Sequence, residues 1–248
     1  MATLAIGDVH ANLPALRDLL EQLTPVVEPG DSVVFLGDYI DRGPDAKGCI
    51  ERILGFREET PARVETLLGN HEDWLLRSLA SPTRHSWLLG MEAFDTIASY
   101  SPDAARALRA ALEQAGPRLL TERVELPYHL FFDAMPVAHL AFLRGLKTHH
   151  RTPDALCVHG GLDPAVSELE RQPREALVWG SDDFADRYRG AERVVYGHWG
   201  DASVGASGWP SPRVRERTIG IDTIAHGVLT AVRLPDLRVF QSARHPIG

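Results

Sequence analysis

The sequence predicts an α/β protein, and two observations carry that prediction. Three short apolar runs near the start, Leu4-Ala5-Ile6, Ser32–Leu36 and Val64–Leu68, each end at a glycine, pass through polar residues and enter a helical period. Further strand signals return late, at Ala155–Val158, Arg193–Tyr196, Arg213–Ile221, Val228–Leu234 and Leu237–Phe240. Strand, polar turn and helix in alternation is the pattern of an α/β sheet. Ligands of such sheets gather at the carboxyl ends of the strands, where all three polar turns would lie.

Element by element, Asn12 can cap a helix whose Leu13, Leu16, Leu19, Leu20 and Leu23 share one face. Glu72–Leu79 reads as a helix after the third run. From about Trp74 to Pro153 the character changes: Ala104–Ala115 is alanine- and leucine-rich, and Pro136–Leu146 is a second helical pattern opened by proline. This block has no metal-ligand pattern, and Trp74, Trp87 and Met91 read as core packing. Residues 74–153 are therefore expected to form a largely helical insertion, with His149 and His150 in a loop behind it. Gly200–Pro212, rich in Gly, Ser, Pro and Trp, should be a loop beside the site. With no repeat, low-complexity tract or linker, residues 1–248 are expected to be one domain with an inserted helical cap.

Composition narrows the function. Apolar residues make up 44% and charged residues 24%, ordinary globular usage. The 26 basic and 34 acidic residues leave a net charge of −8, a poor surface for nonspecific binding of nucleic acid or anionic membrane. Cys49 and Cys157 cannot build a disulfide framework, and Cys157 reads as a small buried hydrophobe. No apolar stretch is long enough to span a membrane, and the N-terminus lacks a targeting pattern, so a cytoplasmic location is the expectation.

The polar turns carry the chemistry. Asp8 and His10, one residue apart, can point the same way on extended backbone. Asp38 closes the second run, Asn70 the third, and His159 and His198 two later strands. Carboxylate, amide oxygen and imidazole together suit Mn, Fe or Zn, and the lack of thiolate argues against structural zinc. These residues exceed what one catalytic metal needs, whereas two metals about 3.5–4 Å apart, bridged by one carboxylate, use them economically. Asp38 is the natural bridge. Singly, Asp-Val-His is more often a solvated turn than a ligand pair, and Gly-Asn-His-Glu is equally well a helix start capped by Asn70; the ordered set of five segments decides for a metal site.

Gly-Asp-Val-His (7–10), Gly-Asp-Tyr-Ile-Asp-Arg-Gly (37–43), Gly-Asn-His-Glu (69–72), Val-His-Gly-Gly-Leu (158–162) and Tyr-Gly-His (196–198) resemble the calcineurin-like metallophosphoesterases. Within them the motifs look most like the serine/threonine phosphoprotein phosphatase branch and its bacterial relatives. The resemblance implies a four-layer αββα sandwich of two mixed sheets flanked by helices. It implies two divalent metals, manganese first, with iron or zinc possible. Asp8, His10 and Asp38 would hold one; Asp38, Asn70, His159 and His198 the other. His71 would be the general acid, Asp41 its orienting partner and Arg42 a phosphate clamp. A metal-bridging hydroxide would attack phosphorus in line.

Physical chemistry is consistent with these roles. A carboxylate at Asp41 favours the imidazolium form of His71, and Arg42 can grip two phosphoryl oxygens with its planar fork. The sequence also departs from the family. Ala11 stands where glycine is usual and Trp199 where threonine is common. Ser181 in Trp179-Gly-Ser stands where bacterial relatives often have arginine, leaving Arg187 or Arg189 as substitutes for a second clamp. The substrate expected first is a phosphorylated protein or small phosphate ester. A dinucleoside tetraphosphate hydrolase and a catalytically inactive scaffold are the alternatives; the intact Asp41-Arg42-Gly43 leans toward the monoesterase, and the complete ligand set counts against the scaffold.

Overall fold

Side-chain alternation along the short strands sorts the chain into layers, as seen in a computed structural model that describes residues 1–181 and 183–247. The strands are β1 (Thr3–Ile6), β2 (Ser32–Phe35), β3 (Arg63–Thr66), β4 (His149–Arg151), β5 (Leu156–Val158), β6 (Val194–Tyr196), β7 (Ser203–Val204), β8 (Pro210–Ser211), β9 (Arg213–Val214), β10 (Thr218–Gly220), β11 (Thr230–Leu234) and β12 (Arg238–Gln241). The helices are α1 (Leu13–Leu23), α2 (Ala46–Glu59), α3 (Asn70–Ala80), α4 (Ser86–Gly90), α5 (Phe94–Tyr100), α6 (Pro102–Ala115), α7 (Arg118–Thr121), α8 (His129–Phe132), α9 (Val137–Arg144), α10 (Arg174–Val178) and α11 (Phe184–Arg187).

Two five-stranded sheets form, in the orders β12-β11-β1-β2-β3 and β4-β5-β6-β10-β9. Both are mixed: β1, β2 and β3 run parallel with β11 antiparallel to β1, and β5, β6 and β10 run parallel between antiparallel β4 and β9. In β1 and β2, Leu4, Ile6, Val33 and Phe35 face helices α1 and α2, while Ala5 and Val34 turn to the other side. In β5 and β6, Cys157 and Val195 meet Ala5 and Val34 in a shared middle core, while Leu156, Val158, Val194 and Tyr196 face α10 and α11. A period of two residues thus divides each strand between a sheet–sheet core and a sheet–helix core. The result is the expected sandwich of two mixed sheets flanked by helices. Cys157 lies in the middle core, where burial pushes its thiol up to about 12.

The 74–153 segment starts inside α3 and ends just past β4; between them it is helical from α4 to α9, and its Trp87, Leu88, Ile97, Leu108, Phe131 and Phe142 belong to the same apolar cluster as Leu4 and Phe35. It extends the outer core over the first sheet. Two expectations need correction here. His149 and His150 are strand residues in β4, antiparallel to β5, not loop residues. As an edge strand paired on one side, β4 is half-buried and polar and carries no apolar alternation to betray it. The 200–212 segment is not all loop, because β7 and β8 pair into a small hairpin. Helix α2 was not expected at all. Asp45 caps it through Gly48 N, and Ala46, Cys49, Ile50, Ile53 and Phe56 form its buried stripe. Among the described residues no helix is long and apolar enough to cross a membrane.

Candidate active site

Because β1, β2 and β3 are parallel, the turns after them leave the same edge of the first sheet. Those turns carry Asp8 and His10, Asp38 to Arg42, and Asn70 to Glu72. The parallel strands β5 and β6 deliver His159 and His198 to the facing edge. The glycines in these turns allow close approach. A β-carbon on Gly69 would stand on Asp38 Oδ1, and one on Gly197 on Asp8 Oδ1.

Backbone strain concentrates in the same place. His10, Ala11, Asp38, Asp41, Arg42 and His198 all have left-handed φ, between 43° and 68°. Each non-glycine residue there costs on the order of 1–2 kcal/mol, the kind of strain that clusters where side chains must be aimed. Alanine at position 11 would have been relaxed only at negative φ. At φ 52° it is strained, which explains why glycine would suit the position.

Asp38 is the hub. Its Oδ2 lies 3.4 Å from His159 Nε2, 3.6 Å from His10 Nε2 and 3.9 Å from His71 Nε2. The inward atom of the Asn70 amide is 2.9 Å from His159 Nε2, 3.0 Å from His198 Nδ1 and 3.1 Å from Asp38 Oδ2. His10 Nδ1 donates to Ile40 O and His159 Nδ1 to Leu36 O, which leaves both Nε2 lone pairs turned inward. Two donor groups result: His10, Asp38 and His71, and Asp38, His159 and His198. Asp8 is beside them rather than within either group. Its Oδ2 accepts from His198 N at 2.9 Å, while its Oδ1 is buried without a partner. His71 Nε2 is likewise buried and unpartnered.

The electrostatics fit a cation. Burial pushes His10 down to about 3 and His198 down to about 4, so both are neutral imidazoles at neutral pH. Burial, then the neighbouring Asp222 and Asp38, push the Asp8 carboxyl up. Burial acts in the same direction on Asp38, but the close imidazoles of His159 and His71 outweigh it and hold Asp38 well below the usual carboxylate range. Neutral imidazoles, crowded carboxylates and an orphaned carboxylate oxygen are what bound divalent metals would satisfy, and the nitrogen and oxygen donors match such ions.

Around the hub, buried groups fix the turns. Glu72 accepts from Asp38 N through Oε2 and from Tyr39 N and Ile40 N through Oε1. Asp222 accepts from Gly200 N and so ties down the segment after His198. His71 Nδ1 donates to Asp41 Oδ2 at 2.8 Å, and Asp41 in turn accepts from Trp87 Nε1 and Thr96 Oγ1. Arg42, on the exposed side of its turn, donates from its guanidinium to His10 Nε2 at 3.0 Å. Asp8, His10, Asp38, Asp41, Arg42, Asn70, His71, His159 and His198 thus join one contact network. Arg187 and Arg189 do not: one pairs with Asp183, the other donates to the Asp186 and Tyr188 carbonyls. Sequence reasoning missed Glu72, Asp222, Trp87 and Thr96 as site-supporting residues. Glu72 was legible inside its motif, whereas Trp87 and Thr96 lie in a block with no motif.

The family model of the calcineurin-like phosphoesterases matches residues 1–227. The chain belongs to that family. Enzymes of this family are metal-dependent phosphoric ester hydrolases with a dinuclear metal centre. Among curated relatives, a symmetrical bis(5'-nucleosyl)-tetraphosphatase of Pectobacterium carotovorum is 29% identical, the match covering 97% of this chain and 94% of the relative. A zinc-dependent endopolyphosphatase of Saccharomyces cerevisiae is 24% identical, covering 92% of this chain and 74% of the relative. A solved structure provisionally assigned as a diadenosine tetraphosphatase superposes with a TM-score of 0.63 at 18% identity, over 97% of this chain and 92% of the other. At that identity the likeness shows the fold.

Proposed function

We propose that this calcineurin-like phosphoesterase is a two-metal phosphomonoesterase acting on phosphorylated serine or threonine side chains. The observation that carries this reading is the buried His71–Asp41 pair, whose unpartnered His71 Nε2 is turned toward Asp38. An alkoxide is a poor leaving group and needs a proton, while a phosphate leaving from an anhydride needs it much less. Asp8, His10 and Asp38 would hold one metal, and Asp38, Asn70, His159 and His198 the other. When bound, the metals supply Lewis-acid charge and an activated water.

The chain's own residues do the rest. Burial lowers the His71 affinity for a proton, but Asp38 and Asp41 outweigh it and raise it above the ordinary imidazole value. Both carboxylates thus favour the imidazolium, which delivers its proton from Nε2 to the leaving oxygen. Asp41 holds the Nδ1–H and the ring plane. Arg42 exchanges His10 for two phosphoryl oxygens when substrate enters. Manganese is our first choice of metal, and the zinc dependence named for the yeast relative keeps zinc in view.

A second reading, hydrolysis of a dinucleoside tetraphosphate, is favoured by the relative of that name matched along nearly its whole length. Metal-reconstituted protein assayed on a phosphoserine peptide, an aryl phosphate and a dinucleoside tetraphosphate separates the two. Preference for the dinucleotide replaces the first reading with the second. Inactivity on all three with metal bound would leave only a binding scaffold.

A further inference from the structure

The helical segment between α3 and β4 meets the acid pair at the Asp41 carboxylate. Trp87 in α4 donates from Nε1 to Asp41 Oδ2 at 2.9 Å, the same oxygen that receives His71 Nδ1–H. Thr96 in α5 donates from Oγ1 to Asp41 Oδ1 at 2.7 Å and accepts from Asp41 N at 2.8 Å. Asp41, Trp87 and Thr96 are each fully buried. Core packing explains why the Trp87 indole is covered, since it lies against Phe131. It does not explain why the indole N–H points at a carboxylate. Nor does it explain why one hydroxyl closes a ring on both the backbone and the side chain of a residue at φ 67°.

We infer that Trp87 and Thr96 are positioning residues, through which the insertion assembles the acid pair by clamping the Asp41 carboxylate in the orientation that holds His71. The inference rests on the acid role proposed for His71. A buried carboxylate oxygen stripped of its donor is costly, so it rotates toward another donor or takes up a proton. Either response releases His71 Nδ1–H and lets the imidazolium lose the ring plane needed to present its proton from Nε2. The clamp comes from outside the motif-bearing turns, so changes in the insertion tune proton delivery without touching the residues around Asp38.

The test uses metal-loaded Trp87→Phe, Thr96→Val and Thr96→Ser, with His71→Asn as reference. Each is assayed on a phosphoserine peptide and on 2,4-dinitrophenyl phosphate, whose leaving group needs no proton. Trp87→Phe and Thr96→Val should lower kcat on the peptide by about 10–100-fold, the usual cost of losing a group that orients an active-site histidine. KM, bound metal and turnover of the dinitrophenyl ester should stay near wild type, and Thr96→Ser, which keeps the hydroxyl, should restore the peptide rate. In metal-free protein, the His71 Nδ1–H resonance should show the hydrogen bond to Asp41 in wild type and a weakened one in Thr96→Val. Equal losses on both substrates, or no recovery in Thr96→Ser, would overturn the inference. If Trp87→Phe fails to fold, the two Thr96 variants decide alone. A substrate split in His71→Asn that is missing from Trp87→Phe and Thr96→Val removes the clamp and leaves the acid. No split in His71→Asn removes the acid role itself, and the clamp with it.

Discussion

The inward atom of the Asn70 amide stands 3.1 Å from Asp38 Oδ2, so its identity depends on what else shares the space. As oxygen it faces a carboxylate and the ring nitrogens of His159 and His198, an arrangement that a cation between them makes favourable. As nitrogen it donates to the same atoms. Loading the metal-free protein should therefore rotate the amide from nitrogen-inward to oxygen-inward. The side-chain NH₂ resonances of Asn70 should move on titration with Mn²⁺ or Zn²⁺, most clearly with diamagnetic zinc. Resonances that stay put while metal binds would show that Asn70 is not a ligand.

Replacing His71 separates binding from proton delivery. His71→Asn should retain its metals, because the candidate ligand set remains, yet lose about 10²–10⁴-fold in kcat on substrates with poor leaving groups, the range of general acid catalysis. Metal content by atomic absorption and turnover on an alkyl phosphate give the two readouts. Unchanged turnover on the alkyl ester would remove His71 from the mechanism.

Asp41 sets the pH range over which that acid works. The His71 proton affinity is lowered by burial and raised more by Asp38 and Asp41, a net upward shift. The active form is protonated, so activity is full below the ordinary imidazole value and declines as pH rises through the raised one. The same sign applies to stability: the His71 contribution is present in full below the unfolded value and is lost through the folded one. Asp41→Asn removes one attracting charge, so the descending limb of kcat against pH should move to lower pH. A limb that stays in place or moves upward contradicts the pairing.

How much of this was legible beforehand follows from where each signal resides. The short strands before Asp8, Asp38 and Asn70 announce themselves because a buried strand ending at glycine is a local pattern, and order along the chain placed those turns together. The Asn12 cap is local too, accepting from Ala15 N as expected. Strand β4 was hidden because an edge strand needs no apolar alternation, and α2 was overlooked although Asp45 and its buried stripe were readable. The donors on Asp41 are a different case. Trp87 and Thr96 lie 46 and 55 residues away in sequence, and only tertiary packing brings their N–H and O–H to one carboxylate.

Glu72 should matter to stability and to Asp38 together. Its two oxygens accept from three consecutive backbone amides, which fixes the turn that carries Asp38. In Glu72→Gln one oxygen becomes NH₂, which turns a donor against either Asp38 N or the Tyr39 and Ile40 amides. Unsatisfied buried donors should cost about 1–3 kcal/mol. Urea denaturation should show that loss, and metal titration should show weaker binding because the Asp38 turn loosens. Wild-type stability with wild-type metal affinity would mean that Glu72 does not hold the turn.

Arg42 presents opposing demands on one atom. Its guanidinium donates to His10 Nε2 at 3.0 Å, and that lone pair is the one a metal at His10 would take. Metal and Arg42 therefore compete for His10, while metal and Arg42 cooperate on a phosphoryl group. Arg42→Ala should bind metal at the His10 site more tightly in the absence of substrate, because a competitor has gone. It should also raise KM for a phosphorylated substrate by about 10-fold or more, since a charge-assisted hydrogen bond contributes about 1.5–3 kcal/mol. Arg42→Lys should recover little of the KM, because a point charge cannot replace the planar fork. Calorimetric metal titration and steady-state kinetics report the two effects independently. If metal affinity falls along with substrate affinity, Arg42 supports the metal site, and the exchange of His10 for phosphate is wrong.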